Sequence, residues 1–236
     1  MEIRKGVAFL SSLALVLAAC GGTEPASDAA AEDATAEQES AADPDIAPAG
    51  AATALPAGFA LTLDNPDANA SEFRAMSMDG GVHVQTGPAG VLYSATNAVP
   101  SGDYAVSATF TEIGAPPNHR EAFGIVIGGA DLESPNQRYT YFLVRADGKY
   151  LIKKRTGSET ANVRDWTDSE AVRKAEAQGD VTNALEVAVR GDQVHFSING
   201  TEVTTLPVAE VDAHGIAGVR VNHNLNVMVS NWTVTQ

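Results

Sequence analysis

"NALEVAVRGDQVHFSINGTEV", residues 183–203, carries two tight-turn signals eight residues apart. Gly191-Asp192 and Asn199-Gly200 are dipeptides that accept the positive φ angles of two-residue hairpin loops. Counting outward from Gly191-Asp192 sets Val189 against Val194, Val187 against Phe196 and Leu185 against Ile198. Counting outward from Asn199-Gly200 sets Phe196 against Val203. The apolar residues then share one face, while Glu186, Arg190, His195, Ser197 and Glu202 share the other. Side chains alternate along a strand, so a slip of one residue would exchange the two faces. Two separate turns give the same face, and the stretch reads as a three-strand meander.

A third turn, Asp147-Gly148, pairs "RYTYFLVRA" with "KYLIKKRT". Taken as a two-residue loop, it gives one face with Thr140, Phe142, Val144, Leu151, Lys153 and Arg155. The other face has Tyr139, Tyr141, Leu143, Arg145, Tyr150, Ile152 and Lys154. Neither is polar, so this hairpin is expected to have one side in the core and the other partly covered or lining a groove. Further strands are expected at 82–86, 90–95, 103–113, 122–129, 215–222 and 226–235. "SEAVRKAEAQ", 169–178, reads as a short helix or a loop excursion. Ten to twelve short strands at spacings near ten residues indicate a single all-β domain, a sandwich or barrel, over residues 57–236.

The segments "HREAFGIVIGGADL", "YTYFLVRADGKYLIKKRTG", "WTDS", "NALEVAVRGDQVHFSINGTEV" and "GIAGVRVNHNLNVMVSNWTV" together resemble the bacterial concanavalin A-like lectin/glucanase superfamily. The likeness is nearest to its laminin G-like and 3-keto-disaccharide hydrolase-type domains, and it covers most of residues 82–236. It implies a jelly-roll β-sandwich. It implies much less about activity, since one fold hosts many functions. The paired-carboxylate strand of the glucanases, Glu-x-Asp-x-x-Glu, has its nearest match at Glu210-Val211-Asp212, and Gly215 stands where the second Glu belongs. Alternate carboxylates on one strand are what retaining hydrolysis needs, so that chemistry is not expected. No hydrolase nucleophile elbow, zincin motif or phosphate loop is present either.

Non-catalytic recognition of a glycan or envelope polymer is therefore the leading expectation. A sugar-active hydrolase, with an acid or base drawn from Glu121, Asp131 or His223, and a protein-binding envelope component are the alternatives. Sugars are held by planar apolar faces together with polar side chains that bond hydroxyls. Tyr141, Arg145, Tyr150 and Lys154 on one hairpin face, with Trp166 near in sequence, suit that role. So do His119, Arg120 and Glu121 at the entry to an apolar strand, and Asn222, His223 and Asn224 at the end of another. Trp232, among valines, reads as core. The five histidines are too scattered for a metal site. Calcium is a candidate only at Asp131, Glu133 and Asn136, an oxygen-rich loop without a recognisable ligand spacing. A net charge of −15 argues against a nucleic-acid partner.

The first 56 residues have a different texture. Arg4 and Lys5 precede an apolar run, Val7 to Ala19, of signal-peptide length. It closes on Leu17-Ala18-Ala19-Cys20-Gly21, which resembles the bacterial lipobox and contains the only cysteine. The resemblance implies residues 1–19 as signal peptide and a diacylglycerol on Cys20, whose acyl chains would hold the protein on a membrane. Gly21, where inner-membrane lipoproteins often carry Asp, favours the outer membrane by the same likeness. Residues 20–56 then form a tether: between Gly21 and Pro56 there are eight acidic residues and no basic one. Such an Ala-rich acidic composition cannot bury enough surface to offset chain entropy, and it would reach roughly 30 Å. Cys20→Ser is expected to abolish incorporation of labelled palmitate in bacterial cells and to release the protein from the membrane fraction. Unchanged labelling would contradict the anchor.

Overall fold

The structure, a computed structural model, describes residues 55–78 and 80–236. The expected signal peptide, Cys20 and nearly all of the tether lie outside the described residues. Fourteen strands follow in order: β1 (Ala60–Leu63), β2 (Phe73–Met78), β3 (Gly81–Thr86), β4 (Gly90–Val99), β5 (Tyr104–Ala115), β6 (Ala122–Ala130) and β7 (Arg138–Arg145). They continue with β8 (Lys149–Thr156), β9 (Glu159–Asp168), β10 (Gly179–Arg190), β11 (Gln193–Ile198), β12 (Thr201–Pro207), β13 (Gly215–Val221) and β14 (Asn226–Thr235). They form two seven-stranded sheets. The first has the order β1-β4-β13-β6-β7-β8-β9, the second β12-β11-β10-β5-β14-β3-β2. Among the described residues, helix is limited to two short 3-10 turns, at 70–72 and 208–210. Residues 169–178 are a loop, so the excursion is what forms there.

The main core lies between the sheets and is built from alternate side chains of each strand. Phe110 of β5 stacks on Phe123 of β6, centroids 5.5 Å apart, and Phe142 of β7 meets Phe196 of β11 edge-on at 5.3 Å. Both contacts cross from one sheet to the other. The Gly191-Asp192 hairpin has the expected register, with Leu185 against Ile198, Val187 against Phe196 and Val189 against Val194. Gly191 takes φ +60°, where a side chain would be strained.

Two expected registers are corrected. Past Asn199-Gly200 the ladder holds for Ile198–Thr201 and Ser197–Glu202, then shifts, so that Phe196 faces Thr204 and Val203 is the extra residue of a β-bulge. The β7–β8 loop is three residues, not two: Arg145 pairs with Lys149, Val144 with Tyr150 and Phe142 with Ile152. The Gly148 amide donates to the Arg145 carbonyl at 3.0 Å, and Gly148 sits at φ +93°, the form in which a turn is followed by a left-handed residue. One added residue moves all of β8 to the opposite face. Tyr150, Ile152 and Lys154 therefore lie on the inner side with Phe142, whereas Lys149, Leu151, Lys153 and Arg155 lie on the outer side with Tyr139, Tyr141 and Leu143.

Trp232 reaches the core by a similar device. Between Ser230 and Thr233, β14 carries one residue more than β5 opposite, and Asn231 takes φ +52°. This bulge turns Trp232 and Val234 inward to pack on the main core. Phe196→Ala, at the centre of the inter-sheet contacts, is expected to cost about 3–5 kcal/mol of unfolding free energy in urea titrations. A loss below about 1 kcal/mol would contradict this core.

Candidate functional site

The outer face of the first sheet is apolar where an exposed sheet face is usually polar. Val91, Tyr93, Val126, Tyr141, Leu143 and Leu151 form a second buried cluster there, with Trp166 packed at its margin. Leu132 belongs to the same cluster, and Thr62 Oγ1 donates to the Leu132 carbonyl at 2.6 Å, so the β6–β7 loop folds back across this face. The two-sided apolar hairpin thus has the covered second side that its sequence demands.

Charged groups are set into this face. Arg220 on β13 lies level with Val91 and Gly124 and is 6% exposed. Both its terminal nitrogens donate to Asp64, the first residue beyond β1, with 2.7 Å for Nη1 to Oδ1. Its guanidinium also lies 4.8 Å from the Tyr141 ring centroid and 3.3 Å from the Tyr139 hydroxyl. Arg155 of β8 shares the same carboxylate at 3.2 Å and donates to the Asp64 carbonyl at 3.1 Å. Burial alone would raise the Asp64 pKa, but the Arg220 hydrogen bond and charge, with Arg155 and His223 adding to it, hold the carboxyl below its usual range.

Toward the β7–β8 turn on the same face, the structure gathers part of the set nominated from the sequence. Arg145 stacks 4.0 Å over Trp166 and is held by Asp147 through Nε at 3.0 Å and Nη2 at 2.6 Å. Its neighbours in the sheet are Ala122 and Lys149, and Lys149 pairs with Asp168 at 2.6 Å. The Asn222 amide donates to the Ala122 carbonyl, which brings the two nominated loops together. There Glu121 accepts the His223 amide at 3.3 Å and stands 3.8 Å from its ring nitrogen. Asn224, at φ +53°, donates to the Gly87 carbonyl. Tyr141, Arg145, Trp166, Glu121 and His223 therefore surround one surface. Arg120 is exposed beside it.

Other nominated residues lie elsewhere. Tyr150 packs in the main core, edge-on to Phe142, and its hydroxyl donates to the Val203 carbonyl at 3.3 Å. Lys154 shares that inner side and approaches Asp212 at 3.8 Å. Both fail as partners of Tyr141 because of the three-residue turn. His119 pairs at 2.5 Å with Glu112, which no motif marks. Glu112 is 2% exposed at the inner side of β5. Burial pushes its carboxyl above the ordinary range, and the His119 bond and charge offset this only in part.

A cleft of about 630 Å³ opens between β1 with residues 64–70 and the segments 132–137 and 155–158. Leu61, Leu63, Pro66, Leu132 and Pro135 supply aliphatic walls. Gln137, 8% exposed, lines it with a side-chain oxygen that has no hydrogen-bond partner. Asp64 and Arg155 lie on its border, so the cleft adjoins the charged centre. Its size and its few polar groups suit a small organic ligand. None of Gln137, Asp64, Arg155 or Arg220 was legible as a site residue, because they come from four separate segments that only the folded sheet and the segment after β1 bring together. Asp131, Glu133 and Asn136 are exposed, and among the described residues no group of three His, Cys, Asp or Glu is placed to hold a metal.

No protein-family model and no curated protein matches the chain. Among solved structures it is similar to the carbohydrate binding module CBM66 from Bacillus subtilis, with 12% identity, 75% of this chain, 95% of that one and a TM-score of 0.54. It is also similar to a Bacillus subtilis protein of unknown function with a galectin-like fold, with 14% identity, coverage of 75% and 89% and a TM-score of 0.53. A third is the carbohydrate recognition domain of Emp46p in its potassium-bound form, with 9% identity, coverage of 75% and 88% and a TM-score of 0.53. At such identities the likeness is one of fold, and the fold is the jelly-roll sandwich.

Removing one member of a buried ion pair strands the other, so Arg220→Ala is expected to cost about 3 kcal/mol or more. The Asp64 contribution, from a lowered pKa, is fully present above its unfolded value of 3.8 and is lost as pH falls through the lower folded value. The same variant should therefore flatten the acid limb of stability measured from pH 2 to 6. An unchanged acid limb would contradict the pairing.

Proposed function

We propose that this chain is a non-catalytic glycan-binding β-sandwich, carried on an envelope membrane by acyl groups on Cys20 and held off it by the acidic tether. The observation that carries the binding reading is the Arg145–Trp166 stack on the outer face of the first sheet, at the turn end of the β7–β8 hairpin whose other end borders the cleft. A sugar ring offers a C–H face to an aromatic surface and hydroxyls to its edge. Trp166 supplies the first kind of contact. The Arg145 guanidinium supplies the second beside it, and Gln137, Ser134 and Ser158 supply it to a further sugar residue at the cleft. The rest of the outer sheet is apolar and packed, which keeps these groups fixed before a ligand arrives and lowers the entropy cost of binding. Two of the similar structures are named as carbohydrate-binding domains, which supports the same reading. The envelope makes a surface glycan or envelope polymer the natural ligand, and outer-membrane delivery follows the lipobox likeness.

A second reading, a sugar-active hydrolase, draws on the Glu121–His223 pair. Turnover of a 3-keto-glycoside that disappears in Glu121→Gln would establish it. For the binding reading, a glycan array followed by calorimetric titration of the strongest hit is the test. Trp166→Ala is expected to weaken that hit at least tenfold while the melting temperature stays within a few degrees. An array without hits would contradict the proposal.

A further inference from the structure

Of the fifteen Lys and Arg residues in this acidic chain, seven lie between Arg138 and Arg164, a stretch with only two acidic residues, Asp147 and Glu159. The corrected β8 register sets Lys149, Lys153 and Arg155 on the outer face, opposite Arg145, Tyr141 and Tyr139. Alternate residues of a strand are about 7 Å apart on one face, so these cations form a stripe along β8, with Arg145 beside Lys149.

The pairing within the stripe leaves charge over. Arg145 is matched by Asp147 and Lys149 by Asp168. Asp64 alone serves both Arg155 and Arg220. Lys153, half-buried beside Tyr141, has no acidic partner among the described residues. Two positive charges therefore remain uncompensated on this face of a protein whose net charge is −15. The nearby carboxylates do not pair with them: Glu121 lies with His223 beside Ala122, Glu133 lines the cleft, and Asp165 accepts the Trp166 amide. Local charge opposed to the net charge attracts an oppositely charged ligand that the rest of the surface repels.

We infer that the ligand of this face is an anionic glycan, one whose sugar residues carry carboxylates, with Lys153 as its principal charge contact. The inference rests on the glycan-binding proposal and specifies its ligand class. Lys153 donates to a carboxylate of the polymer, the Arg155–Asp64–Arg220 group supplies a second positive region, and Trp166 takes the ring face. Neutral glycans satisfy only the last of these contacts.

The test uses the full chain in non-ionic detergent with three probes: polygalacturonate, the same polymer fully methyl-esterified, and a neutral β-glucan. Vesicles containing phosphatidylglycerol serve as a fourth, since anionic headgroups share the chemistry. Polygalacturonate is expected to bind at least tenfold more tightly than its ester, with an affinity that falls as salt is raised from 50 to 300 mM. Lys153→Ala should weaken it at least fivefold and Lys153→Glu more, with the circular dichroism spectrum and melting temperature unchanged. Equal binding of acid and ester, or of the β-glucan, would overturn the anionic assignment and leave the glycan reading intact. Binding to no polymer would overturn both. Preferential binding to the vesicles, lost in Lys153→Glu, would make the stripe a membrane contact and end the inference.

Discussion

Asp64 bears more of the outer face than any other single side chain. Its carboxylate compensates Arg220, which is nearly fully buried, and it reaches Arg155 on β8, which four strands separate from β1 in the sheet order. A guanidinium so deeply buried is costly unless paired and hydrogen-bonded. The segment after β1 must therefore remain folded against this face for Arg220 to be tolerated. Asp64 and Arg155 border the cleft, and Arg220 lies against Tyr141. Site and fold here share one electrostatic anchor.

The molecule has apolar clusters on both sides of its first sheet, and the division of labour follows from that. The inter-sheet core, with its Phe110–Phe123 and Phe142–Phe196 contacts, supplies the driving force for folding. The outer cluster is smaller and is crossed by a loop, with charged groups set among its tyrosines and leucines. A rigid sheet with a loop laid over it is a common way to obtain fixed recognition groups on a stable scaffold. The second sheet has an outer face of serine, threonine and short polar contacts, such as Ser107–Thr233 and Thr111–Thr182, both at 2.8 Å. A pocket of about 220 Å³ over Ser107, Thr109, Glu186 and Ser197 on this face has no aromatic residue in its lining.

Much of this was legible in the chain. Gly191-Asp192 fixed a register that the structure keeps, because a two-residue loop has few alternatives. Asn199-Gly200 fixed the turn but not the ladder beyond it, since the bulge at Val203 is set by the neighbouring strand rather than by local sequence. Asp147-Gly148 misled by one residue. The turn residues were identified, yet their loop length was not, and a period of two converts that single residue into an exchange of faces for Tyr150 and Lys154. The site was legible where sequence neighbours supply it, as at Glu121, Asn222 and His223. It was illegible at Asp64, Arg155, Gln137 and Arg220, which come from separate segments and meet only once the sheet is formed and the segment after β1 is laid against it. The β1, β2 and β9 strands also went unannounced, being short, polar or at sheet edges.

The central claim is that ligand binds the outer face of the first sheet, between the cleft and the Arg145–Trp166 stack. The most direct measurement is a 15N–1H shift map of the full chain in detergent, with and without a saturating oligosaccharide. The account predicts that the Trp166 indole, the Gln137 side-chain amide and the backbone amides of Arg145, Lys153 and Ser158 move together. Shifts confined to the second sheet, at Thr109, Ser197 and Thr233, would contradict it.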